Sequence, residues 1–192
     1  MELNESALRS LVALLDDEDP RSLNLVRRQI LDVGTAVIPY LEAARASSGP
    51  QYVERLDEMA DELRQLEITQ EFVALAAQRI PDLETGALLI SRLIGMIQDA
   101  NLYRQWLDRV AASASEDISE DATVTEAATR LAAHLFQGMG FGGNDINYYD
   151  PDNSSLARVI DTRRGIPVTL CVLYLLVAKR LKIPVYGVPS IP

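Results

Sequence analysis

Apolar residues recur at helical spacing through most of this chain. Leu8, Leu11, Val12 and Leu15 fall on one face of a helix. Asp16-Asp-Glu-Asp-Pro20 interrupts the stripe, and Asp19 followed by Pro20 predicts a helix that restarts with proline in its first turn. Leu25, Val26, Ile30 and Val33 form the next stripe, closed by Gly34. Val37, Ile38, Leu41 and Ala44 predict a short third helix, and Ser47-Ser-Gly-Pro50 a loop. Tyr52 to Ile68 reads as an amphipathic helix rich in Glu and Arg, with a further helix from Gln70 to Arg79 before Pro81. Asp82 is an N-cap residue for a helix reaching to about Gln98. Leu102 to Ala112 closes this helical stretch.

Ser113 to Thr123 is small and acidic and divides the pattern. The expected organisation is an acidic all-helical region over 1–115, a linker over 116–122 and a C-terminal part over 123–192. Within the first region, the helices between Leu11 and Ala44 look like one HEAT-type unit. Arrays of that kind need several repeats to bury a core, and no second copy is evident. Beyond the linker, Val124, Ala127, Ala128, Leu131, Ala132, Leu135 and Phe136 follow i, i+3, i+4, i+7 spacing, which predicts a helix with one buried face. His134 lies off that stripe, at a flanking position.

The segment from Gly138 changes character. Phe141-Gly-Gly-Asn144 is a loop, and Tyr148-Tyr-Asp-Pro-Asp-Asn-Ser154 sets turn formers beside two aromatics. Asn153 is placed to cap a helix from Ser154 to about Arg163. Arg163 and Arg164 then face the negative end of its dipole, and Gly165 is a C′ residue. Pro167 suits the first turn of a helix running to about Leu181, apolar nearly all round and therefore expected at the centre of a core. Ile183 to Val188 reads as a short strand.

Composition narrows the function classes. Among 192 residues, 18 Lys and Arg stand against 28 Asp and Glu, a net charge of −10. An acidic chain is repelled by nucleic acid and anionic lipid, so no nucleic-acid or membrane partner is expected. Residues 1–126 hold 24 acidic and 11 basic side chains, and residues 127–192 hold 4 and 7. One Cys and one His predict no metal site and no cofactor, and exclude an intrachain disulfide. The N-terminus Met1-Glu-Leu-Asn-Glu lacks the apolar core of a secretory signal. The longest apolar stretch, Leu170 to Ala178, falls short of the roughly 20 residues that span a bilayer. The expectation is a soluble cytoplasmic protein.

Phe141-Gly-Gly-Asn, Tyr149-Asp-Pro-Asp-Asn-Ser, Arg163-Arg-Gly-Ile-Pro-Val-Thr-Leu and Ile183-Pro-Val-Tyr-Gly-Val resemble the transglutaminase-like family of bacterial SirB-type proteins. The likeness covers about 123–192, and the helical region before it is also similar. The resemblance implies a cysteine-protease-like core, with a central helix on an antiparallel sheet. It makes the whole chain mainly α, and α+β if complete. Members usually continue with Gly-His-Phe, so the chain reads as a truncated member. Ser190-Ile-Pro stands where the family has an Asn-Phe-Pro-like stretch, and Lys182 where Gly is usual.

Active members of such families resemble one another in a Gly-x-Cys opening of the central helix, where the helix dipole lowers the thiol pKa. Counting back from Lys182-Ile183-Pro184 puts that position at Pro167, so the register reads Gly165-Ile166-Pro167. Proline carries no nucleophile. Cys171 falls one turn deeper, about 6 Å along the axis, and is expected to be a buried core thiol with a raised pKa. Thr169 is a second candidate hydroxyl without a visible base, and His134 the one candidate imidazole. On this reading Asn144, Tyr148, Tyr149, Asp150, Asn153, Arg163, Arg164 and Pro167 line a remnant cleft or serve the fold. The expected function is a non-catalytic module for protein–protein interaction or regulation. The alternative is a cysteine-dependent protease or transamidase using Cys171 and a His from further along. Direct DNA binding rests only on Arg158, Arg163, Arg164, Lys179, Arg180 and Lys182, with no helix-turn-helix pattern.

Overall fold

Asn4 accepts a hydrogen bond from the Ala7 N–H at 2.9 Å and opens α1 (Glu5–Ala13), which buries Leu8, Leu11 and Val12. Asp19 caps α2 (Pro20–Val33), with Pro20 in its first turn as expected. Val37 and Leu41 anchor α3 (Ile38–Arg45). The computed structural model describes residues 4–46, 49–95, 97 and 99–188. Ser47 and Ser48 of the expected loop, Gln98, and Ser190-Ile-Pro lie outside the described residues.

The chain forms two compact units, one up to Val73 and one from Ala74. In the first, Leu8, Leu11, Val12, Leu15, Val26, Ile30, Val37 and Leu41 share a core with Leu56, Met59, Ala60 and Leu63 of α4 (Pro50–Ala76). Leu25 is 63% exposed and is not part of this core, which buries Val26 and Ile30 of α2 with Leu31 and Val33 packed against it. The two helices expected over Tyr52–Arg79 are one. Thr69 keeps its hydroxyl on the Gln65 carbonyl at 2.8 Å, one turn back, so nothing breaks the helix there.

The second unit begins after a turn. Asp82 caps α5 (Leu83–Leu93), which ends short of the expected limit because Gly95, at φ +72, reverses the chain. Next come α6 (Ala100–Glu116) and α7 (Val124–Ala132), the latter opened by a reciprocal Thr123–Glu126 capping box. The segment between α6 and α7 is a tight turn, with the Asp117 N–H on the Ala114 carbonyl and the Ala122 N–H on that of Ser119. It does not divide two cores, because Leu107, Val110, Ala111 and Ala114 of α6 pack in one cluster with Leu131. The division between units lies at Val73 and Ala74, ahead of the linker read from composition. After α7 the helix widens, with the Met139 N–H on the His134 carbonyl at 2.8 Å. Ala127, Leu131 and Leu135 are its buried face, while Val124 and Phe136 are exposed.

Two short strands follow, β1 (Gly142–Gly143) and β2 (Arg164–Gly165), paired in parallel with Gly142 opposite Arg164. Between them, Ser155 caps α8 (Leu156–Thr162) through a bond from the Arg158 N–H at 3.2 Å. Asn153 does not cap it: it sits buried in the preceding turn Pro151–Ser154. The last helix, α9 (Pro167–Arg180), buries Thr169, Leu173, Leu176, Val177 and Ala178 against α5, α6, α7 and α8. The architecture is mainly α. The strand expected over Ile183–Val188 is not formed, since that segment finds no neighbouring strand among the described residues.

Candidate functional site

A ladder of Asx side chains builds the loop that covers the start of α9. Asn144, Asn147, Asp150 and Asn153 recur every third residue. The Asn144 amide donates to Asn153 Oδ1 at 2.8 Å, and its Oδ1 accepts from the Asn147 N–H. Asp150 accepts from the Asp152 N–H at 3.0 Å and from Asn147 Nδ2 at 3.1 Å. Asn153 Nδ2 donates to the carbonyls of Asn147 and Tyr148, at 2.7 and 3.0 Å. Every polar atom of the buried Asn153 side chain is thus engaged, which a buried amide requires. The ladder joins the sheet through the Asn144 N–H on the Gly165 carbonyl, 3.1 Å. It leaves Tyr148 half-exposed and Tyr149 93% exposed, with rings edge to face at 5.4 Å.

At the head of α9, Ile166 is the N-cap and makes no side-chain capping bond; Pro167 follows. Thr169 is buried and donates its hydroxyl to the Asn153 carbonyl at 2.7 Å, so it ties the loop to the helix. Cys171 is exposed, not buried as expected. The apolar run of α9 has two faces. Thr169, Leu173, Leu176 and Val177 meet the other helices, while Pro167, Val168 and Cys171 lie on the open side, with Val168 62% exposed.

The arginines are committed locally. Arg163 ends α8 in the left-handed conformation, φ 58, a role expected of Gly165. Its guanidinium donates to the Met139 carbonyl at 2.8 Å, and that of Arg164 to the Gly140 carbonyl at 2.8 Å. Both hold the turn after α7, and the Arg164 guanidinium also donates to the Arg163 carbonyl at the end of α8, 2.9 Å. His134 Nδ1 bonds Asp117 Oδ2 at 2.8 Å and is mostly buried. Among the described residues no hydrogen bond or ion pair joins it to Cys171 or Thr169.

The site therefore brings together Asn144, Tyr148, Tyr149, Asp150, Asn153, Thr169 and Pro167, but no nucleophile with a base. No group of three or more His, Cys, Asp or Glu placed to hold a metal ion occurs among the described residues. No buried side-chain nitrogen or oxygen among them lacks a partner. Asn147 and Asp117 were not anticipated. The three-residue Asx spacing signals Asn147. Nothing local signals Asp117, whose imidazole partner is 17 positions away.

Residues 101–190 match the family model described as the transglutaminase-like superfamily. The match begins in α6, ahead of the stretch 123–192 read from motifs. The chain is 37% identical over 106 residues to a UPF0162 protein of Xylella fastidiosa, covering 55% of this chain and 38% of that protein. It is 38% identical over 69 residues to a UPF0162 protein of Pasteurella multocida, covering 35% of this chain and 26% of that one. It is 38% identical over 50 residues to F-box only protein 21 of Mus musculus, covering 26% of this chain and 8% of that protein. The aligned part thus spans less than half the length of each relative. No solved structure matches the chain. The likeness to the transglutaminase-like superfamily lies within the second unit.

Proposed function

We propose that this chain is a transglutaminase-like protein of the SirB type whose module, residues 101–190 at least, binds a protein partner and does not catalyse acyl transfer. The observation that carries this reading is Pro167 in the first turn of α9, the place where the family's thiol would gain from the helix dipole. The neighbouring hydroxyl of Thr169 is spent on the Asn153 carbonyl, and the His134 imidazole on Asp117. Acyl transfer needs nucleophile, base and oxyanion donors in one place, and the described residues do not assemble them. The exposed apolar side chains of Val168 on α9 and of Tyr148 and Tyr149 in the preceding loop are surface of the kind that meets partners.

The single helical unit between Leu11 and Ala44, read as HEAT-type, extends the same interaction role. The protein works in the cytoplasm; no helix among the described residues is long and apolar enough to cross a membrane. DNA is not the partner. Lys179 is paired with Asp82 and Arg180 with Glu84 and Asp108, and the Arg163 and Arg164 guanidinia hold carbonyls.

One observation favours a second reading, a cysteine-dependent protease or transamidase using Cys171: the thiol is exposed. Alkylation separates the two. On the interaction reading, iodoacetamide modifies Cys171 in the folded protein no faster than it modifies free glutathione at neutral pH. Modification far faster than glutathione, abolished by unfolding in urea, would establish an activated thiol and overturn the reading.

A further inference from the structure

We draw no further inference here: the strongest candidate, the cleft of the first unit lined by Leu15, Leu23 and Met59 between the turn into α2 and α4, carries nothing, because its Arg27 is paired with Glu62, its Arg55 holds the Leu15 and Asp17 carbonyls, and nothing in the structure shows what would occupy it.

Discussion

A β-carbon on Gly165 would lie 2.6 Å from Val159 Cγ2, closer than real contacts allow. Glycine is therefore required at this position by the close approach of β2 to α8, and not by any left-handed backbone. The left-handed residue is Arg163, two positions earlier. Reading Gly165 as a helix terminator identified the right residue for the wrong reason, because sequence shows that a turn needs glycine nearby but not which wall it faces. Gly165→Ala is expected to cost about 1–3 kcal/mol, the range for inserting a methyl group into a filled space; a urea titration reads it directly. Cys171 shows the opposite limit. Its neighbours in sequence are apolar, yet burial depends on which side of α9 the other helices occupy. Lys182 stands where the resemblance implies glycine, and its φ of 56, the left-handed conformation, is the physical reason.

The helix ends were the most legible elements. Asn4, Asp19, Asp82 and Thr123 all accept from backbone N–H groups two or three residues on. Asn4 and Thr123 carry the same local signature as Asp19 and Asp82. The cap of α8 is Ser155 and not the expected Asn153, since the Asx ladder claims Asn153 for the loop. A second acceptor at that end is invisible in sequence: the buried Ser91 hydroxyl accepts the Ala157 N–H from 66 positions away. The Asp82 cap has a pH signature. The Thr85 N–H, and secondarily Lys179, hold its pKa down to about 2 against the desolvation that raises it. A carboxylate with a depressed folded pKa stabilises the fold above its unfolded value of about 4 and loses that contribution as pH falls toward 2. Thermal melts of the native chain and Asp82→Asn are expected to differ at pH 7 and to converge near pH 2.

At the scale of the molecule, a polar junction joins α9 to α5 and α6 beside the apolar core of the second unit. Arg180 near the end of α9 donates to both oxygens of Glu84 on α5, at 2.7 and 3.1 Å, and to Asp108 on α6 at 2.6 Å. Arg104 adds a longer contact to Glu84 at 3.5 Å. Arg180 and Glu84 are mostly buried, so removing one partner strands the other. Arg180→Met is expected to cost about 2–3 kcal/mol in chemical denaturation, and Arg180→Met with Glu84→Met to recover most of it. The residues of this junction lie up to 96 positions apart, and no local pattern announces them. The same holds for the boundary between units, which composition set at 116–122 and packing set at Val73, because a run of small acidic residues marks a turn whether or not a core continues across it. What local chemistry dictates was open to reading from the chain: helix periodicity, caps, the mainly α character and the proline at the head of α9. Long-range packing alone decided the rest. It determined which face of α9 is covered, where Cys171 ends up, that the imidazole meets Asp117, and that Ile183–Val188 runs unpaired. Each of these depends on residues far apart in sequence coming together, and neither spacing nor composition encodes that directly.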